Sequence, residues 1–219
     1  MRTRHVAAAM AAVLSTLGVA GCSDSNDNKN EAVTKVDLIG MAAPITMDQK
    51  ADIYSEARAV YTFESGRTEE YSLQYHKIFD TTTTVGGNVV GGLYSAFGPL
   101  TDNDGQMASD APDGTSLMMI NGLAVPGATG NPLAMVTQFE YKSLPPNDGT
   151  STGEFWSKLP AAMGLALLDQ DARSGMLAAR SYTNIGMSGV QGGWIFCGST
   201  LSPWNTHVSS EEYEPDAKV

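Results

Sequence analysis

Residues 164–182 read GLALLDQDARSGMLAARSY and carry the clearest local pattern in the chain. The apolar residues 164–168 and the strand-prone residues 177–182 flank a polar stretch, 169–175, that ends in glycine. Two short runs separated by a polar segment with a late glycine are typical of antiparallel strands joined by a tight turn. This stretch therefore predicts a β-hairpin.

Similar short strand-like runs, broken by turn residues, recur along the chain. Such repeated short strands with tight turns are typical of a β-sandwich or a β-propeller rather than of a helical protein. There is no repeat at a fixed period, so the pattern alone predicts an all-β fold and leaves both architectures open. The runs are residues 60–63 and 71–73, which flank Ser65 and Gly66, and residues 81–84, 89–90, 116–120 and 135–141.

One short helix is expected near the N-terminal end of the folded region. Thr46 and Gln49 have the spacing of a capping box, in which each residue caps the backbone of the other. Ile53, Ala57 and Tyr61 follow at helical spacing. Together these signals predict a helix over about residues 47–58.

An aspartate-rich stretch, residues 101–114, admits two interpretations. Its carboxylates are the oxygen ligands that Ca²⁺ prefers. However, the spacing does not follow the calcium-binding loop of EF-hands, and Asp-Gly pairs such as Asp113-Gly114 are common in ordinary turns. We expect plain turns here.

Composition limits the classes of partner. The 219 residues have a formal net charge of −11, and 17% of them are charged. Because no basic patch is available to neutralise phosphates, we expect no nucleic-acid binding. An acidic protein can still bind an anion where metal ions reverse the local field.

The N-terminus has the features of an export signal. Arg2 and Arg4 precede an apolar run, residues 6–19, that is too short to span a bilayer. Small residues then lead directly to Cys22, as in the lipobox of bacterial lipoproteins; an ordinary signal peptide with an incidental cysteine is the alternative. We expect residues 1–21 to be a lipoprotein signal peptide, Cys22 to carry the lipid, and the chain to be periplasmic or at the cell surface, anchored to a bacterial membrane.

The residues after the signal peptide divide into a tether and a folded region. The polar residues that follow Cys22 predict a disordered tether over residues 22–35. Residues 36–219 then form the folded region.

The candidate chemistry lies near the C-terminal end. Cys197 is the one cysteine besides Cys22, and it is either a buried inert thiol or a metal-bound thiolate. His207 is either a structural hydrogen-bonding residue or a ligand or general acid. Residues 206–211 predict a strand, whose alternation places Glu211 and Glu212 on opposite sides, so at most one of them shares a site with Cys197.

These residues form a recognisable motif. The motif has a fixed spacing, in which the two glutamates follow the cysteine by fourteen and fifteen positions. Its residues are Cys197-Gly198, Ser202-Pro203-Trp204, Thr206 and Glu211-Glu212. The motif resembles the first signature of the PhoX-type bacterial alkaline phosphatases. Asn205 stands where that signature has glycine, His207 where it has an aromatic residue, and Ser210 where a cysteine often stands.

The resemblance implies a fold, an activity and a cofactor. It implies an exported six-bladed β-propeller that hydrolyses phosphate monoesters through a cluster of iron and calcium ions. Cys197 would be the thiolate ligand of iron, Glu212 and less surely Glu211 carboxylate ligands, and Trp204 would pack beneath the site. A blade takes roughly 40–50 residues, so this chain is expected to supply the first blades of the propeller and, alone, to be inactive.

Two other function classes remain open. One is a non-catalytic surface lipoprotein that binds a ligand or partner, and the other is an inactive truncated product. A serine hydrolase is disfavoured because His207 is the only histidine late in the chain. The natural substrate and the oligomeric state do not follow from the sequence.

Overall fold

The computed structural model describes residues 31–144, 146–147 and 160–212. The predicted signal peptide, Cys22 and most of the predicted tether lie outside these residues. Within them the chain is built mostly of strands with almost no helix, so the all-β prediction is confirmed. The described chain divides into two compact units, one ending at Lys77 and the other beginning at Ile78. This division falls inside the segment 36–219 that the sequence analysis treats as one folded region.

The first unit is a three-stranded antiparallel sheet with one short helix. Its elements are β1 (Val33–Ile39), α1 (Met47–Ala51), β2 (Arg58–Phe63) and β3 (Thr68–Ser72), and the strand order is β1-β2-β3. The predicted hairpin around Ser65 and Gly66 is the β2–β3 connection, in which Gly66 has a φ of 84°. Because β1 begins at Val33, the last residues of the segment expected to be a tether lie in a strand.

The predicted helix over residues 47–58 is shorter than expected. Its capping box is confirmed, since the Gln49 amide donates to Thr46 Oγ1 at 3.2 Å and the Thr46 amide donates to Gln49 Oε1 at 3.1 Å. The helix nevertheless ends at Ala51. The apolar residues further along, among them Val60 and Tyr61, pair with β1 instead, where branched and aromatic side chains fit a pleated surface.

The second unit begins with small hairpins and continues into a larger sheet. The hairpins pair β4 (Thr84–Val85) with β5 (Asn88–Val89), β6 (Tyr94–Ser95) with β7 (Gly98–Pro99), and β8 (Thr101–Asp102) with β9 (Gly105–Gln106). The aspartates of the last pair serve the turn, since Asp102 Oδ1 accepts from the Asp104 amide at 2.9 Å.

The main sheet is an antiparallel meander of four strands. They are β10 (Pro112–Met118), β11 (Asn131–Phe139), β12 (Ala162–Gln170) and β13 (Leu177–Asn184), in that order. The hairpin predicted from residues 164–182 is the β12–β13 pair. A separate hairpin, β14 (Phe196–Leu201) and β15 (His207–Glu211), follows, and across the described ranges no set of sheets closes into a ring.

Strand alternation gives the main sheet two buried faces. On one face Phe139, Leu168 and Tyr182 pack against Val90 and Leu93 from the small hairpins. On the other face Met118, Ala134 and Val136 form a smaller cluster. Toward one end of this second face the buried residues become polar, and this is where β14 packs against β10. None of the described helices is long and apolar enough to cross a membrane.

Candidate functional site

The β14–β15 hairpin carries most of the residues singled out by the sequence. Cys197 lies near the start of β14, Glu211 is the last residue of β15, and Glu212 follows it. The predicted strand over residues 206–211 is confirmed. The two ends of the hairpin differ in character, because Cys197 and the glutamates lie at its open end and Trp204 at its turn.

The turn explains one departure from the phosphatase signature. Asn205 has a φ of 63°, a left-handed conformation that glycine adopts freely and asparagine tolerates better than most residues. Its side-chain amide also donates to the Met119 carbonyl at 2.6 Å. Trp204, which the resemblance placed beneath the site, is instead 74% exposed in this turn.

The glutamate pair splits between two roles. Glu211 Oε1 accepts from the Trp194 amide at 2.8 Å. Glu212 is close enough for its charge to act on the Cys197 thiol. This division agrees with the expectation that only one of the two glutamates shares a site with Cys197.

Two carboxylates outside the signature lie near Cys197. Asp113 and Glu212 are both close enough to act on the Cys197 thiol, and Glu140 lies within the electrostatic reach of both of them. We call Asp113, Glu140, Cys197 and Glu212 the Cys197 cluster. The pairing of β10 with β11 brings Asp113 near Glu140. Pro112, the neighbour of Asp113, pairs with Phe139, the neighbour of Glu140.

Electrostatics in the Cys197 cluster favours protonated groups. Burial raises the pKa of the half-buried Cys197 thiol, and the hydrogen bond to Asp113 and the charges of Asp113 and Glu212 raise it further. Burial also raises the pKa of Glu140, with the charges of Asp113 and Glu212 acting in the same direction. A thiol held in this way is a poor nucleophile, whereas a bound cation would reverse the effect and release the thiol proton.

The donor set of the cluster has the chemistry that the implied metals require. Thiolate with carboxylate suits iron, and carboxylate oxygens suit calcium. Across residues 31–144, 146–147 and 160–212, however, no three such side chains already converge on one point as metal ligands. A metal ion here would therefore have to draw the side chains of the cluster together.

Beneath the hairpin, His207 belongs to a buried polar network. The fully buried Gln138 donates its Nε2 to the Cys197 carbonyl and, at 3.3 Å, to the Gly198 carbonyl. With its amide group so oriented, Gln138 Oε1 accepts from His207 Nε2 at 3.0 Å. His207 Nδ1 then accepts from the hydroxyl of the buried Ser116 at 2.9 Å. Both ring nitrogens are engaged, so in this arrangement His207 offers none to a metal or a substrate.

No protein family, curated protein or solved structure matches this chain. The residues of the site therefore carry the functional argument. Of the residues named from the sequence, the structure brings Cys197 and Glu212 together, turns Glu211 to a backbone amide, buries His207 in a hydrogen-bond network and exposes Trp204.

We expect acid to weaken the fold through His207. Burial lowers the pKa of His207 below its value of about 6.5 in the unfolded chain, so the unfolded state binds more protons between the two values. The contribution of His207 to stability is complete above about pH 6.5 and is lost as the pH falls toward the folded-state pKa. The urea midpoint of the wild type should therefore be lower at about pH 5.5 than at about pH 7.5.

A His207→Gln variant is the control for this prediction. It removes the titrating group but not the carboxylates, whose own titration would otherwise confuse the comparison. The drop in midpoint between the two pH values should be smaller in His207→Gln than in the wild type. An equal drop in both proteins would contradict the prediction.

Proposed function

We propose that this chain carries part of the metal site of an exported, metal-dependent phosphatase that hydrolyses phosphate monoesters. The observation that carries the proposal is the surroundings of Cys197, the residue that the phosphatase-like signature singles out as a ligand. Two carboxylates, Asp113 and Glu212, act on its thiol, and Glu140 lies within the electrostatic reach of both; only Glu212 belongs to the signature.

The electrostatics of the cluster supports a bound cation. Burial, followed by the like charges of Asp113 and Glu212, raises the pKa values of Cys197 and Glu140. A di- or trivalent ion would offset the repulsion between these groups, and the same side chains would then serve as its ligands. Such binding couples to proton release from the thiol.

Cys197 and Glu212 would hold iron, and Asp113 and Glu140 would supply oxygen ligands to calcium or iron. When bound, these ions would act as Lewis acids and charge clamps on a phosphoryl group. That role matters in a chain of net charge −11, because the protein field would otherwise repel a phosphate monoester. The second glutamate, Glu211, supports the site indirectly by holding the backbone at Trp194.

The architecture and location follow the same proposal. The four-stranded antiparallel meander β10–β13 has the strand number and connectivity of a propeller blade, and we propose that the chain supplies the first blades of such a ring. We also propose that residues 1–21 direct export and that lipid on Cys22 anchors the protein to a bacterial membrane.

Iron binding tests the metal site directly. Full-length protein purified and then loaded with iron should bind it tightly, and Cys197→Ser should weaken binding by more than about 100-fold because a hydroxyl is a much poorer soft ligand than a thiolate. Cys22→Ser is the matched control, since it removes the other cysteine and leaves the Cys197 cluster intact. Metal content and dissociation constants are the measurements.

The outcomes separate the two parts of the proposal. Equal iron binding in wild type and Cys197→Ser would exclude Cys197 as a ligand. Iron bound through Cys197 without hydrolysis of p-nitrophenyl phosphate would support the metal site alone, because a chain that supplies only the first blades is expected to be inactive by itself. Hydrolysis that is lost in Cys197→Ser would support both parts.

A second candidate function is a non-catalytic surface module that binds a partner. The observation that favours it is an exposed apolar group around the β14–β15 turn, where Trp204 is 74%, Met119 55% and Ile120 43% exposed. Exposed aromatic and methionine side chains of this kind are enriched at protein interfaces. This function predicts no tight iron binding and no effect of Cys197→Ser.

A further inference from the structure

Cys197 stands at an irregularity in its strand. The β14–β15 ladder pairs Phe196 with Glu211 and next pairs Ser199 with Ser209, so β14 has one more residue than β15 in this interval. Such a bulge leaves backbone groups without ladder partners and redirects a side chain. Bulges are common beside functional sites for that reason.

The side chain of Gln138 supplies partners that the ladder does not. Its amide nitrogen donates to the carbonyls of Cys197 and Gly198, the two peptide groups that follow the Cys197 Cα. The direction of the Cys197 carbonyl sets the ψ angle at Cys197 and therefore the direction in which its side chain leaves the strand. Ser210 adds a hydrogen bond to the Gly198 carbonyl at 3.1 Å.

The two carbonyls determine which way the Gln138 amide points. If the amide flipped, its oxygen would face the carbonyls of Cys197 and Gly198, and those contacts would become repulsive. The amide oxygen therefore faces His207 Nε2 at 3.0 Å, and the Ser116 hydroxyl engages Nδ1 at 2.9 Å on the other side of the ring. Ser116, His207, Gln138 and Cys197 thus form one chain of hydrogen bonds that ends at the bulge.

The close approach of β14 to the sheet also depends on a small residue. A Cβ atom on Gly114 would lie 2.5 Å from Ser199 Oγ and 2.8 Å from Gln138 Nε2. Glycine therefore leaves the space in which the Gln138 amide reaches the bulge. Gly114 follows Asp113, so the close approach of β14 at Gly114 also brings the bulge near the Asp113 carboxylate.

We infer that Gln138, held from its other side by His207 and Ser116, is a positioning residue that fixes the bulge at Cys197 and so the direction in which the Cys197 side chain leaves the strand. The assignment of this thiol as a metal ligand rests on the proposed function, but its positioning does not. Outer residues that orient a ligand commonly change metal affinity by about 10–100-fold when removed.

The first test is alkylation of the thiol in the metal-free full-length protein. Cys197 is treated with iodoacetamide at one fixed pH, and peptide mass spectrometry separates it from Cys22. Gln138→Met removes the amide without adding charge, and we expect it to raise the alkylation rate of Cys197 about tenfold, because the half-buried side chain is no longer held in place and becomes exposed. Ser116→Ala, which perturbs only the far end of the chain of hydrogen bonds, should raise it by about threefold.

Tyr182→Phe is the matched control. It removes one hydrogen bond, from the Gly91 amide to the buried Tyr182 hydroxyl at 3.1 Å, on the opposite face of the same sheet. A general loss of stability would raise alkylation equally in Tyr182→Phe and in Gln138→Met, and that result would overturn the inference. If Gln138→Met does not fold, an unchanged rate in Ser116→Ala would overturn it equally.

Cobalt binding provides the second test. Co²⁺ is titrated into each full-length protein, and thiolate-to-cobalt charge-transfer absorption reports binding at Cys197. We expect Gln138→Met to weaken this binding by about 10–100-fold and Tyr182→Phe to leave it unchanged. Absence of the band in the wild type would contradict the proposed metal site, while the alkylation rates would still decide the positioning role.

Discussion

Replacing Phe139 by Ala is expected to lower the free energy of unfolding of the second unit by about 4 kcal/mol. Phe139 is only 1% exposed, and it packs among the residues that β11, β12 and β13 contribute to the main core. Truncation removes the transfer free energy of the ring and leaves a cavity that neighbouring strands cannot fill. Urea denaturation followed by circular dichroism measures the change.

The chain contains its own control for this experiment. Phe97, at the tip of the β6–β7 hairpin, is fully exposed, so Phe97→Ala should change the free energy of unfolding by less than about 0.5 kcal/mol. If the two substitutions had similar effects, Phe139 would not lie in the core described here.

Gly164→Ala is expected to lower the free energy of unfolding by about 3 kcal/mol, although it adds only one methyl group. A Cβ atom at this position would overlap the ring and the hydroxyl of Tyr182, which lies across Gly164 on the same face of the sheet. Tyr182 is 1% exposed and packs edge-to-face with Phe79, so it has no free space into which to move. Glycine in a strand interior often marks such a close approach.

Gly186→Ala is the corresponding control. No heavy atom lies within 4 Å of the position that its Cβ would take. We expect a change of less than about 0.5 kcal/mol there. A similarly small effect at Gly164 would show that Tyr182 does not cover that glycine in solution.

Local sequence patterns predict several of the strands, but not β1, whose first residues were expected to be part of the tether. The hairpin in residues 164–182 and the turn at Ser65-Gly66 were predicted because apolar runs and turn residues alternate there within a few positions. The predicted helix is too long because the competing structure depends on a pairing between distant residues. Val60 and Tyr61 fit a helical spacing, but their partners in β1 lie more than twenty positions earlier, and this pairing has no local signal.

The candidate site shows the same division. Cys197 and Glu212 stand out because cysteine is rare in this chain and the spacing of the motif is specific. Asp113 is assigned to a turn in the sequence because Asp-Gly is a turn signal, but both residues lie in β10. Glu140 joins the cluster only through the register of β10 and β11, which the sequence does not display. Gln138 looked unremarkable for the same reason, since its partners are the backbone of residues 59 and 60 positions away.

The separate pairing of β14 and β15 has a consequence for access to Cys197. Among the residues that the structure describes, the hairpin is hydrogen-bonded as a sheet only to itself, and its buried apolar contacts are concentrated at Ile195 and Phe196, where it begins. An element attached in this way opens as a unit at a lower free energy than global unfolding. Amide hydrogen exchange in β14 and β15 should accordingly be faster than in β11 and β12. The rate at which an ion or a reagent reaches Cys197 would then be governed by this local opening rather than by the stability of the whole domain.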